Sequence, residues 1–143
     1  MYPELMLIPM REELTRSGVE ELRSAREVDE VLGRAQGTVL VVVNSVCGCA
    51  AGRMRPAVRL AAAHSQQPDR KVSVFAGQDA EATERARSYF AGYPPSSPSL
   101  ALLKDGELVM MLQRHDIESR DAEDIAEDLK SAFNRFCRAG AAV

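Results

Sequence analysis

Two thiols one residue apart carry the chemistry of this chain: Cys47-Gly48-Cys49 comes directly after the apolar run Val39-Leu40-Val41-Val42-Val43-Asn44-Ser45-Val46. Such a pair can exchange disulfides if one thiol is ionised, because the thiolate is the attacking form. A helix beginning near Cys49 would set unpaired backbone N–H groups and the positive end of its dipole beside the Cys47 sulfur, favouring that thiolate. Arg53, Arg55 and Arg59 add positive charge with few acids nearby. Gly48 supplies the backbone freedom that a bridge between residues one apart requires. A Cys47–Cys49 disulfide closes a smaller ring than a C-x-x-C bridge, so it is expected to be strained and easily reduced, as suits a transient bridge. Two readings compete. The thiols can be small buried hydrophobes, since free cysteine is often buried. They can also bind a metal, although two thiolates are too few for a closed zinc site and Cys137, His64 and His115 do not stand at customary ligand spacings. No metal is expected.

The elements that must position these thiols can be read from pattern. Val39 to Val43 is continuous rather than alternating, which marks a strand buried on both faces, running from Thr38 to Asn44. The cysteine turn at its end should therefore lie at the carboxyl edge of the sheet, where open α/β folds place their sites. A helix from about Cys49 to His64 comes next, kinked at Pro56, with His64 a capping or surface residue. Upstream, Met10 to Leu14 forms a short helix closed by Gly18, and Ser24-Ala25-Arg26-Glu27 has the spacing of a capping box. Val28, Val31, Leu32 and Ala35 make one apolar helical face, ended by Gly37. Downstream, Lys71 to Ala76 is a second parallel strand, and Asp79 to Ala91 a polar helix with Asp79 as N-cap and Gly92 as its stop. Tyr93-Pro94-Pro95-Ser96-Ser97-Pro98 cannot be regular structure. Ser99 to Leu103 and Glu107 to Leu112 flank Lys104-Asp105-Gly106, a hairpin signal. Ile125, Ala126, Leu129, Ala132, Phe133 and Phe136 make the last helix amphipathic.

Composition bounds the function. With 143 residues and 45% hydrophobic content, one globular domain can bury a core without staples. A net charge of −3 gives nucleic-acid binding no electrostatic support. Three cysteines, two almost adjacent, do not form a secreted disulfide framework. The stretch from Met1 to Pro9 lacks a basic n-region and Pro9 breaks its apolar run, so it does not read as a signal peptide. No stretch approaches membrane-spanning length. A reducing cytoplasm is the expected setting.

The order strand, cysteine turn, kinked helix, strand, helix, proline loop, hairpin, helix resembles the thioredoxin arrangement. The resemblance implies an α/β fold: a central mixed sheet of about four strands with helices on both faces. Residues 1–143 would be a single domain with a helical N-terminal extension over about residues 1–36. In that family a cis proline starts the hairpin strand against the active sulfur, and Pro98, preceded by Ser97, stands at the matching place. More closely, Val41 to Gly52, Val74-Phe75-Ala76-Gly77-Gln78-Asp79 and Pro95-Ser96-Ser97-Pro98-Ser99 resemble blocks of the bacilliredoxins, as do Pro9-Met10-Arg11, Arg114-His115 and a terminal cysteine like Cys137. Arg53, Met54, Arg55 and Gln113 depart from the pattern. The likeness implies removal of bacillithiol from protein cysteines capped by it. Cys47 would attack the mixed disulfide and carry bacillithiol, and Cys49 or a second bacillithiol would clear it. Gly48, Ser97 and Pro98 would support the site. The partners implied are S-bacillithiolated client proteins and the low-molecular-weight thiol, which is co-substrate; no bound cofactor is implied. Arg53 and Arg55, with Arg59, are candidates to attract the acidic groups of that thiol, against the alternative of a solvated helix face. His115 either orients the site or ends a strand, and Cys137 reads as a packed thiol. A general disulfide reductase or isomerase without bacillithiol preference, and a metal-binding or interaction module, are the alternatives.

Overall fold

A computed structural model describes residues 2–34 and 36–138. The strand expected at Thr38–Asn44 is there and is buried along its whole length. Leu40 and Val42 enter one apolar cluster, while Val39, Val41 and Val43 enter a second on the opposite face. That two-sided burial explains the unbroken apolar run, each such side chain contributing roughly 1.5–3 kcal/mol on leaving water.

Five strands form the sheet, in the order β1-β3-β2-β4-β5. They are β1 (Glu20–Glu21), β2 (Thr38–Asn44), β3 (Arg70–Phe75), β4 (Ser99–Lys104) and β5 (Glu107–Leu112). The strand beyond the expected four is β1, two glutamates recruited by parallel pairing with Val72 and Ser73. Two polar residues carry no periodicity, so pairing rather than pattern creates that strand. β3 runs parallel to β2 on one side and β4 antiparallel on the other. The Asp-Gly hairpin joins β4 to β5, with φ 50° at Asp105 and 84° at Gly106, the left-handed pair that a two-residue turn needs.

The described residues include six α-helices: α1 (Glu4–Thr15), α2 (Ala25–Leu32), α3 (Arg55–Ala61), α4 (Ala80–Arg87), α5 (Arg114–Glu118) and α6 (Ala122–Phe136). α3 and α6 supply one cluster and α2 and α4 the other. α1 is longer than the expected Met10–Leu14 and contains Pro9, because Leu7, Arg11 and Leu14 bury a common face. α2 opens on Ser24 as expected, with half of the expected capping box: Ser24 Oγ accepts from the Glu27 N–H at 3.1 Å, while the Glu27 carboxylate accepts from the N–H of Arg23, one residue before the cap, at 2.8 Å. It stops at Gly33 rather than Gly37, and Ala35 lies outside the described residues. α4 ends at Arg87, short of the expected Ala91. Asp79 holds its N-cap position without a side-chain capping bond, since its carboxylate pairs with Arg11 at 2.8 Å. α5 was not expected; a Gln113–Asp116 capping box opens it.

Candidate active site

The expected helix after the cysteines is divided. Ala50–Met54 is a π-helical segment that leads into α3, where Pro56 occupies the first turn. Pro56 cannot donate a backbone hydrogen bond, so the widened turn replaces the expected simple kink. α3 ends at Ala61, and His64 lies beyond it with Nε2 2.7 Å from Asn134 Oδ1.

The end of β2 is pinned from below. Asn44 Oδ1 accepts from the Ser45 N–H and from Arg55 Nη1, both at 2.9 Å, and its Nδ2 donates to the Met10 carbonyl at 3.3 Å. Arg55 also donates to the Ser45 carbonyl at 2.9 Å and to Glu13 through Nε at 3.0 Å. Arg55 is only 3% exposed. The expectation that it meets substrate therefore does not survive its placement: the charge faces inward and holds the strand end.

Ser45 is the residue this network fixes, and its hydroxyl lies 3.2 Å from Cys47 Sγ, placed to donate to it. The Cys47 carbonyl accepts from the Ala50 and Ala51 N–H groups at 3.0 and 3.2 Å, which curls the chain so that helical donors point back toward the sulfur. Cys47 is half-buried, as is Cys49, and both are free thiols. Burial alone pushes the Cys47 thiol up. The Ser45 hydroxyl, the Ala50 and Cys49 N–H groups and the Arg114 guanidinium outweigh that, bringing it below the ordinary thiol value. Gly48 lacks a positive φ and has nothing within 4 Å of where a Cβ would stand, so the twist expected of it concerns the bridged form.

Opposite the cysteines lies the proline loop. β4 pairs Ser99 with Val43, so Pro98, buried and joined to Ser97 by a cis peptide bond, comes level with Asn44 where the cysteine turn leaves the sheet. Arg114 connects this loop to the thiols. Its N–H donates to Ser96 Oγ at 2.7 Å, its Nη1 to the Ser97 carbonyl at 3.4 Å and its Nε to Glu118 at 3.1 Å. Arg53 is half-buried and donates to the Arg120 carbonyl at 2.6 Å. His115 is exposed in α5, 3.5 Å from Asp116. Cys137 is buried at the end of α6, away from the cysteine turn.

Ser45 and Arg114 contribute to the thiolate without having been expected to. A hydroxyl two residues before Cys47 is a usable local signal. Arg114 lies beyond a distant hairpin and carries none apart from its place in the family pattern. Among the described residues no group of three or more His, Cys, Asp or Glu is arranged to hold a metal, and no helix is long and apolar enough to cross a membrane.

Comparison with known proteins identifies the family and the fold. Residues 2–137 match a family described as disulphide isomerase. The chain is 60% identical to a bacilliredoxin of Koribacter versatilis over 141 residues, 99% of this chain and 97% of that one. It is 51% identical to a bacilliredoxin of Geobacillus kaustophilus over 95% of this chain and 94% of the relative. Among solved structures, a variant thioredoxin of Halobacterium salinarum superposes with a TM-score of 0.56 at 22% identity, covering 85% of this chain and 93% of that one. Fasciola hepatica thioredoxin gives 0.53 at 16% identity, covering 82% and 99%.

Proposed function

Because this chain belongs to the disulphide isomerase family whose curated relatives are bacilliredoxins, and is a thiol-disulfide oxidoreductase of thioredoxin fold, we propose that it removes bacillithiol from S-bacillithiolated protein cysteines in the cytoplasm. The observation that supports this most is the Cys47 sulfur, half-buried beside Ser45 and held below the ordinary thiol range.

In the proposed reaction the Cys47 thiolate attacks the bacillithiol sulfur of the client mixed disulfide. The client S–S bond breaks as the Cys47–bacillithiol bond forms, and the client leaves as a thiolate that takes a proton from water. Clearance has two routes. Cys49, on losing its proton, attacks the Cys47 sulfur, expels bacillithiol and leaves a Cys47–Cys49 disulfide for an external thiol to reduce. Alternatively a second bacillithiol attacks the adduct, releasing bacillithiol disulfide and restoring Cys47. Pro98 and Ser97 form the wall against which the mixed disulfide lies, Gly48 permits the bridged turn, and Arg53 is a cation at the rim. Arg55 serves by positioning Ser45.

The test uses purified protein and a client capped with bacillithiol. Cys47→Ala should abolish release of the cap, while Cys49→Ala should accumulate a Cys47–bacillithiol adduct visible by intact mass. Equal adduct formation on both single variants would overturn the role assignment. Equal turnover of bacillithiol-capped and glutathione-capped client would favour a general disulfide reductase.

A further inference from the structure

A groove of about 470 Å³ runs alongside the proline loop, between the C-terminal end of α4 and α5, lined by Arg87, Pro95, Ser96, Ser97, Gln113 and Arg114 among others. Two arginines, Arg87 of α4 and Arg114 of α5, are among its lining residues. Arg114 is already oriented by Glu118 and the Ser97 carbonyl, and its charge favours the Cys47 thiolate. Ser97 lines the groove and is joined to Pro98, which lies level with the end of β2, so the groove borders the proline side of the cysteine turn. Its Nη2 has no protein partner among the described residues.

Arg87 is the more telling of the two. It is half-buried, it donates from Nη2 to the Ser96 carbonyl at 3.3 Å, and its Nε is buried with no hydrogen-bond partner. Among the described residues no carboxylate pairs with it. Burial accordingly loosens its hold on its proton. A desolvated guanidinium without a counter-ion is costly, and a carboxylate, which matches its planar fork, is the group that would relieve the cost. Among the described residues Glu118 is the one carboxylate lining the groove, and it is engaged with Arg114 Nε and half-exposed.

We propose that this groove is the subsite for the carboxylate-bearing part of the small thiol, with Arg87 and Arg114 gripping it while its sulfur meets Cys47. This rests on the removal of a small thiol cap proposed above, and it places recognition on the cap and not on the client. It also moves the acid-binding role from Arg53 and Arg55, on the π segment and α3, to arginines of α4 and α5. Among the described residues Arg87 hydrogen-bonds the Ser96 carbonyl and neither cysteine, and the cation that favours the Cys47 thiolate is Arg114, so the effect of Arg87 separates from that of Arg114.

The test uses a blocked, uncharged peptide with one cysteine as client, capped either with bacillithiol or with neutral 2-mercaptoethanol, so that only the cap carries a carboxylate. For Arg87→Gln, the ratio of kcat/KM on the bacillithiol cap to that on the neutral cap should fall about tenfold, with Arg87→Lys restoring part of it. A ratio that does not move, or a slowing shared by both caps, would overturn the proposal and leave Arg87 a loop support. A loss seen on an acidic peptide with the neutral cap, and not on the bacillithiol cap, would also overturn it, because the groove would then read the client. A glutathione cap separates this proposal from the bacillithiol assignment. If the unaltered protein clears glutathione and bacillithiol caps equally, that assignment fails, while the subsite stands if Arg87→Gln slows both against the neutral cap. Independently of turnover, bacillithiol titrated into Cys47→Ser protein should shift the Arg87 Nε–H resonance saturably, and no shift would count against the subsite.

Discussion

Cys47 and Cys137 sit near opposite ends of β2, pack on the same apolar cluster and each have a hydroxyl beside them, yet their thiols are displaced in opposite directions. For Cys137 burial dominates and pushes the thiol up; Thr38 and Lys104 work against it and Asp69 adds to it. For Cys47 burial also opposes ionisation but is overcome. A neighbouring hydroxyl is thus insufficient. Cys47 precedes a helical segment, so the Cys49 and Ala50 N–H groups favour its thiolate, whereas Cys137 ends α6, the end of a helix whose unpaired groups are carbonyls. Around the first lies Arg114; around the second lies Asp69, itself held by the Thr38 N–H at 2.8 Å. The direction in which a helix leaves its cysteine, together with one charge, separates a working thiol from a packed one.

The severest challenge to this contrast is deletion of each sulfur. Cys47→Ala should lower removal of the cap by on the order of 1000-fold or more, to the uncatalysed background, while Cys137→Ala should stay within about twofold, measured by release of free bacillithiol. A large loss on Cys137→Ala would erase the distinction.

A milder change should sharpen it. Ser45→Ala removes the strongest of the influences that favour the Cys47 thiolate, and Arg114→Gln a weaker one. Alkylation of Cys47 by iodoacetamide near neutral pH should slow by about fivefold and about twofold respectively, and the midpoint of the pH–rate profile should rise in both. The rate change is smaller than the change in thiolate fraction, because a more basic thiolate is a better nucleophile.

The smallest effect is the opposite sign of two stability slopes. Below the usual thiol pKa of about 8.5, and above the lowered value in the fold, Cys47 has lost its proton when folded and keeps it when unfolded. The unfolded chain then binds more protons, so stability rises with pH, and this contribution is lost as pH falls through the folded value. Cys137 does the reverse above about 8.5, where the folded thiol keeps a proton that the unfolded one releases, and stability falls as pH rises. Denaturant titrations of reduced protein should show Cys47→Ala flattening the rise and Cys137→Ala flattening the fall.

What could be read in the residues was what local pattern controls. The unbroken valines gave β2, Asp105-Gly106 gave the hairpin, and Ser24-x-x-Glu27 gave the start of α2, while Cys47-Gly48-Cys49 marked one side of the candidate site; Pro98, on its other side, follows from the family resemblance. What escaped depends on partners distant in the chain. β1 exists only because β3 accepts it. Arg53 and Arg55 look alike as letters, but the roughly half turn of helix between them sends one toward the Arg120 carbonyl and the other under the strand end. Arg114 and Arg87 come together on the proline loop, through the Ser97 and Ser96 carbonyls, only after the hairpin and that loop have folded against α4. Arginine roles of this kind are set by tertiary burial, which neither spacing nor charge count encodes.

The bonds from Met10 and Glu13 to Asn44 and Arg55 have a bearing on engineering. Grafting the Cys-Gly-Cys turn onto a foreign scaffold would transplant the sulfurs without the ledge beneath them, because part of that ledge is borrowed from the first helix of the chain. A faithful graft would have to bring α1 along, or supply a substitute carboxylate and carbonyl at the same two points.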